Sequence, residues 1–329
     1  MPKSWGQKLK ILYVLDILRK YSDEENPLTA NEICEYLSQQ GIEAERKSVY
    51  ADIEALTDFG YDIIRSFSPK GFFLGSREFE EAEIYLLSDA VRTAKFISPK
   101  KTRELLKKLG AMLSQSQRKK REKDIYWSPL QKCANEEIFY NIDTISKAIA
   151  DNKKVTFNYV SRELVGREFV DVVKKRTVSP YALTWQDDHY YLICNYEKYD
   201  NLMHLRLDRI SKTQITQDNI RHFSEVSEYT EFFDVADYTN KLFGMYSGEI
   251  SKIELCCKRK IAKAVADRFS ENIFITNVTE NEFCFSCEAV LSEALVTFIM
   301  NFGDGIRVIK PQRLKDMITD RAKKILQVY

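Results

Sequence analysis

A chain of 329 residues with 44% hydrophobic content is long enough for two or three globular domains and has an ordinary supply of core-forming side chains. No run approaches the roughly 18 apolar residues of a membrane helix, and no apolar N-terminal segment ends in a small-residue cleavage site, so the expected compartment is the cytoplasm. Seven cysteines, an odd number scattered over a long chain, read as reduced thiols rather than as the dense even framework of a small secreted domain. A formal net charge of +1 excludes a polycation and leaves any nucleic-acid binding to local patches.

From Lys8 to Tyr21, Leu9, Leu12, Val14, Leu15 and Leu18 approximate a helical stripe, and a loop containing Pro27 follows. Thr29 has the chemistry of an N-cap, and Glu32 three residues on completes a capping box ahead of Ile33, Tyr36 and Leu37. Past Gly41, Val49, Ile53 and Leu56 repeat at helical spacing, with Arg46, Lys47, Ser48 and Tyr50 at the start of this third helix. Residues 61–67 and 71–74 then alternate like two strands joined through Ser68-Pro69-Lys70. Three helices and a hairpin are the order of a winged helix-turn-helix, whose last helix enters the major groove of duplex DNA N-terminus first. Thr29, Arg46, Lys47, Ser48 and Tyr50 are the candidate DNA contacts of the helices, and Arg65 and Lys70 those of the wing, because phosphates want hydroxyl and cationic donors. Acidic Glu43, Glu45, Asp52 and Glu54 are an unfavourable background, so one head alone should bind modestly and a dimer better.

Residues 78–97 predict a helix with Ile84, Leu87, Val91 and Ala94 on one face, stopped by Pro99. Residues 102–116 predict another, with Leu105, Leu106, Leu109, Met112 and Leu113 inward. Ten Lys or Arg residues fall between Lys100 and Lys123 against Glu104 and Glu122. A solvated helix face or a second DNA-contact surface would each account for that run.

Ile142, Ile145 and Ile149 mark a helix near Tyr140–Asp151, and Lys154–Val160 alternates like a strand. From Thr177 to Ile210, strand, Gln186-Asp187-Asp188 turn, strand, second polar turn and strand make a three-strand meander. With Lys212–Ile215 the strands number about five. Tyr159, Ser179, Tyr181, Tyr191, Arg206 and Arg209 are candidates for one groove, since aromatic rings stack on bases and arginines pair with phosphates. Arg206 and Arg209 are three apart, so they serve one site only if the strand ends or bulges near Asp208. Beyond a bridging segment at 221–250, residues 251–329 read as βαββαβα, with Pro311 opening the last helix, an order that suggests a ferredoxin-like split βαβ domain.

Cys256-Cys257 and Cys284-x-x-Cys287 do not suit a four-thiol zinc site, because within a strand each pair points to opposite faces. The three histidines show no helical i, i+4 pairing, and no glycine loop cradles a phosphate. No enzyme, metal or cofactor is expected.

The segment Tyr190-Tyr191-Leu192, with Pro180 before it and Arg206-Leu207-Asp208-Arg209 after it, resembles the WYL domain of bacterial transcription regulators, tyrosine standing where the tryptophan would be. Arg46 to Asp52 resembles the Arg-x-Ser/Thr-Val-x-x-Asp run of their winged heads, and Gly303-Asp304 and Lys310-Pro311 resemble their C-terminal extension. The resemblance implies an α+β chain in five parts: winged helix-turn-helix (1–77), helical linker and dimerisation region (78–139), WYL sensor as a compact Sm-like β-barrel (140–220), bridge (221–250) and ferredoxin-like extension (251–329). It implies a cytoplasmic homodimer that binds a double-stranded DNA operator and senses a nucleotide or single-stranded nucleic acid, with Arg307 reaching the groove from a neighbouring subunit. The alternative is an accessory nucleic-acid-binding protein that modulates a defence or repair complex.

Overall fold

The computed structural model describes residues 3–122, 132–269 and 273–329 of a mixed α+β chain with several antiparallel sheets. It divides into two compact units at Glu136/Glu137. No helix among the described residues is long and apolar enough to cross a membrane.

The first unit opens with α1 (Lys3–Tyr21), α2 (Ala30–Gln39) and α3 (Arg46–Phe59). Thr29 caps α2 through the expected reciprocal box: its hydroxyl accepts from the Glu32 N–H, and the Glu32 carboxylate accepts from the Thr29 N–H at 2.7 Å. Val14, Ile17, Leu18, Ile33, Leu37, Val49 and Ile53 form the core between the three helices. Lys10 of α1 is buried against α3, where it pairs with Asp52 at 2.7 Å and donates to Ser48. The hairpin β1 (Ile63–Phe67) and β2 (Lys70–Leu74) is tied to the loop before α2 by reciprocal Leu28–Phe72 backbone bonds of 2.8 and 2.7 Å. That approach requires glycine at 71, since a Cβ there would lie 2.8 Å from the backbone of Pro27 and Leu28.

Three further helices follow: α4 (Glu81–Thr93), α5 (Pro99–Gly110) and α6 (Gln115–Glu122). The first ends at Thr93, capped by Ala94, short of the expected Pro99 stop, while Pro99 opens the second at N1 behind the Ser98 cap, and that helix ends at Gly110 rather than running on to 116. The basic run continues into α6, a helix that the apolar pattern did not predict because its described face lacks an aliphatic stripe. It is held by polar contacts instead: Asn26 donates to Ser116 at 3.0 Å, Lys120 pairs with Glu25, and Ser114 just ahead of it binds Asp23. Lys123, the end of the predicted basic run, lies outside the described residues.

In the second unit α7 (Ile138–Ala150) precedes a five-stranded antiparallel sheet of β3 (Lys153–Val165), β4 (Glu168–Gln186), β5 (His189–Asn195), β6 (Met203–Arg206) and β7 (Ile210–Asn219). The strand order is β6-β5-β4-β3-β7, so strands adjacent in sequence stand at opposite edges. Only the 3-10 turn Leu207–Arg209 connects them. The sheet therefore curls, but among the described residues no ladder joins β6 to β7, so in place of the expected compact Sm-like barrel the sheet is open and curled. β4 also begins nine residues before the predicted Thr177, extending β3 and β4 into a long ribbon.

The bridge carries the short helix α8 (Val235–Lys241) and packs Val226, Tyr238, Leu242 and Met245 against Tyr181 and Ile193 of the first sheet and Val290 of the second. That second sheet contains β8 (Glu249–Lys258), β9 (Phe274–Val278), β10 (Glu282–Leu291) and β11 (Ile306–Lys310), in the order β11-β8-β10-β9 and antiparallel throughout. Its helices are α9 (Ala262–Phe269), α10 (Glu293–Met300) and α11 (Gln312–Val328). Pro311 is the N-cap of α11 rather than its first helical residue. The seven thiols were expected to be reduced, whereas Cys256 and Cys284 are joined in a disulfide.

Two predictions follow from buried polar groups. Asp52→Ala strands the Lys10 ammonium and should cost about 3 kcal/mol in chemical denaturation, while the double change Lys10→Met with Asp52→Leu should recover most of it. In the second unit His204 bonds Met245 O at 2.9 Å through Nδ1 and the Tyr238 hydroxyl at 3.0 Å through Nε2. Burial lowers its imidazole to about 4. The unfolded chain, with a His pKa near 6.5, takes up the proton first as pH falls, so stability is constant above about 6.5 and declines toward 4 by about 3 kcal/mol. His204→Gln should flatten that part of a melting-temperature against pH curve.

Candidate nucleic-acid interface and effector groove

In the first unit the candidate contacts cluster at one helix start and one hairpin. Arg46 and Lys47 are the first two residues of α3 and are exposed. Glu45 is the N-cap, but among the described residues its side chain caps no N–H, and the first turn holds no acid. The α3 N-terminus thus offers backbone donors and two cations to an anion. Tyr50 is 46% exposed and meets Phe72 edge-on at 5.8 Å, so its ring is steadied by the hairpin. Arg65 lies 5.3 Å from the Phe67 ring, and Phe67 is 79% exposed beside Lys70 at the hairpin tip. Two predicted contacts have structural partners: Ser48 accepts from Lys10, and Thr29 serves the α2 capping box.

In the second unit the site forms where the ladder breaks. β6 ends at Arg206, directly opposite Tyr191 of β5, and the chain turns through Leu207–Arg209. This supplies the strand end that Arg206 and Arg209 require to share a site. Arg206 grips Asp208 with two bonds, Nε to Oδ1 at 3.0 Å and Nη2 to Oδ2 at 2.6 Å, whereas Arg209 is exposed. Burial works against the Arg206 charge, but Asp208 outweighs it and holds the guanidinium above its usual value. Burial raises the Tyr191 phenol, with Arg206 pulling it the other way, and Tyr159 lies within electrostatic range of both.

Arg176 completes this group, its guanidinium 5.3 Å from the Tyr159 ring centroid. Its Nε is buried and has no hydrogen-bond partner among the described residues. The sequence reading missed it because the strand was started at Thr177. Alternation continued one residue back places Arg176 opposite Phe157 and diagonal to Tyr159, and would have found it.

The remaining groove candidates stand elsewhere. Ser179 is buried and accepts from the Arg221 N–H at 3.0 Å, and Tyr181 donates to the Arg221 carbonyl at 2.7 Å. Together they hold the first turn of the bridge. The signal against them is burial among Phe223 and Phe233, whose rings lie 6.3 and 6.2 Å from that of Tyr181. Arg307 lies on β11 of the second sheet, paired with Glu282 at 3.2 Å.

Among the described residues no group of three or more His, Cys, Asp or Glu side chains is placed to hold a metal. Residues 140–215 match the family model of the WYL domain, and residues 252–326 that of the WCX domain. The chain carries a WYL domain followed by a WCX domain. The WYL match covers most of α7 and β3 through the first part of β7, including Tyr159, Arg176, Tyr191, Arg206 and Arg209. Comparison with curated proteins gives no match. Among solved structures the chain is similar to proteasome accessory factor B/C of Arthrobacter aurescens, at 15% identity over 94% of this chain, with a TM-score of 0.28. The chain spans 47% of the length of that protein.

Tyr181→Phe should separate support from recognition. Losing its bond to the Arg221 carbonyl should cost about 1 kcal/mol in thermal unfolding and leave oligonucleotide affinity unchanged. A large affinity loss with unchanged stability would return Tyr181 to the groove.

Proposed function

We propose that the chain is a ligand-responsive DNA-binding transcriptional regulator whose WYL domain senses a nucleotide or a single-stranded nucleic acid. The observation that carries this reading is the convergence of Tyr159, Arg176, Tyr191 and Arg206 at the break between β6 and β7. Rings stack on bases without regard to sequence, and guanidinium groups pair with phosphate oxygens. Support for the DNA-binding part comes from α1 to β2, read as a winged helix-turn-helix with Arg46 and Lys47 at the start of the recognition helix and Arg65 on the wing. On this reading residues 1–77 bind DNA, 78–139 link and dimerise, 140–220 sense, 221–250 bridge, and 251–329 form a ferredoxin-like extension.

The regulator is a cytoplasmic bacterial homodimer that uses no catalysis, metal or cofactor and binds a pseudo-palindromic operator. An effector changes DNA affinity only by its unequal affinity for the DNA-competent and DNA-free arrangements, and an effect in one direction obliges the reverse effect at equilibrium.

Fluorescence anisotropy on duplex from the gene's own upstream region, against scrambled duplex, tests the reading. Arg46→Ala with Lys47→Ala should weaken specific binding at least about tenfold and reduce the log–log salt slope by about two. Arg206→Ala should leave duplex binding intact and abolish its shift by a short single-stranded oligonucleotide. Equal binding of both duplexes, insensitive to the Arg46/Lys47 change, would sink the operator-binding reading and favour an accessory protein that binds single strands.

A further inference from the structure

The basic run from Lys100 onward, left open by the sequence between a solvated face and a DNA surface, borders a cavity in the first unit. α4, α5 and α6 surround about 280 Å³ there. Tyr85, Ser88 and Arg92 line it from α4, at i, i+3 and i+7 of one helix face, Lys107 from α5 and Arg118 from α6. The Arg118 stem passes close over Gly110, where an added Cβ would meet its Cδ at 3.5 Å.

Among the described residues three cations line this cavity and no carboxylate does. The acids of α4 and α5 have other partners. Glu83 accepts from the Glu80 N–H at 2.8 Å, Glu81 accepts from the Tyr85 hydroxyl and from Gln117 Nε2 at 3.1 Å, and Glu104 pairs with Lys101 at 2.9 Å. Asp89 takes one nitrogen of Arg92 at 3.0 Å, which leaves that guanidinium further donors. Among the described residues no carboxylate pairs with Lys107 or Arg118. A hydroxyl is the second, independent observation. Ser88 is only 6% exposed, lines the cavity, and has no hydrogen-bond partner among the described residues, although buried hydroxyls are ordinarily bonded.

We propose that this cavity binds a small phosphate-bearing anion of the diphosphate class, held by Arg92, Lys107 and Arg118 with the Ser88 hydroxyl donating from the buried side. Adjacent phosphates present many acceptor oxygens and several charges, which two guanidinium forks, an ammonium and a hydroxyl satisfy together. A DNA backbone can touch the exposed Lys107 and Arg118, but a hydroxyl as buried as that of Ser88 requires an anion that enters. Bound there, the anion bridges α4, α5 and α6. The inference is independent of DNA binding by the head.

Calorimetric titration of the full chain with inorganic pyrophosphate tests it. Binding should saturate at one ion per chain with a Kd below about 1 mM and raise the melting temperature. Lys107→Gln with Arg118→Gln should weaken binding at least about tenfold, and Ser88→Ala roughly fivefold. Lys100→Gln with Lys119→Gln removes the same charge from the same run outside the cavity lining, and should leave the affinity within about twofold. All four replaced cations are exposed, so both double variants should keep the wild-type melting temperature without ligand. Absence of saturation, or equal weakening by the two double variants, would reduce the run to a solvated cationic face. An unchanged affinity in Ser88→Ala would put the ion outside the cavity. Duplex DNA binding through Lys107 and Arg118 without pyrophosphate binding would make the run a DNA-contact surface. Each of these results overturns the proposal.

Discussion

The second unit is governed by the shortness of one connection. β6 and β7 lie at opposite edges of a five-stranded sheet, yet only Leu207, Asp208 and Arg209 separate them. In a flat sheet four strand spacings would put those edges about 19 Å apart. The chain from Arg206 to Ile210 reaches roughly 14 Å at full stretch, and a 3-10 turn reaches much less. The sheet has no choice but to curl until its edges face each other. The link is too occupied with turning to pair, which leaves an unpaired gap where a closed barrel would have a ladder.

That gap is where Tyr159, Arg176, Tyr191 and Arg206 collect. Ending β6 at Arg206 frees its guanidinium from strand alternation, and Asp208, two residues on, bonds it in a fork that fixes its plane. The far side of the gap is fixed from α7. Asn141, fully buried, donates to the Ile210 carbonyl and accepts from the Thr213 hydroxyl, both at 2.8 Å, while Glu137 accepts from the Lys212 N–H. These bonds satisfy backbone groups that the interrupted ladder would leave unpaired. They also hold Ile210 opposite Tyr159, which brings the Tyr159–Arg176 pair toward Tyr191 and Arg206. Curl, turn and site are consequences of one topological demand.

Much of this was legible in the sequence because it rests on local rules. The Thr29 box, the meander and the βαββαβα order are written in residues a few positions apart. β6 does end at Arg206, and a strand end or a bulge near Asp208 is what Arg206 and Arg209 need if they are to share a site. What failed depended on distant partners. Ser179 looked like a free hydroxyl until the chain forty residues on brought the Arg221 N–H to it. Arg176 was passed over because the strand reads as starting at Thr177, and the exposed ribbon ahead of it, with Phe169 and Val173 outward, has no core to mark an earlier start. Helix α6 lacks an apolar stripe among its described positions, and its polar tethers to the Asp23–Asn26 loop cannot be read from its own sequence. The Cys256–Cys284 pairing needed the β8–β10 register, which periodicity leaves open.

A division of labour among polar side chains connects the two units in kind. Those engaged by partners within the fold are scaffolding: Lys10 on Asp52, Asn141 on β7, Tyr181 on Arg221, and Lys241 gripped by Glu228, Asp237 and Glu288 at 2.7 to 2.9 Å. Among the described residues, those with donor capacity left over include Arg46 and Lys47 at a helix start without a side-chain cap, Arg65 against an exposed ring, and Arg176 with its unbonded Nε. An unmet donor near the surface is tolerable while water or a ligand can reach it, and it costs stability when nothing can. The engaged groups hold backbone segments in place, and the others stand where those segments present them. The cations among them suit anionic partners in either unit.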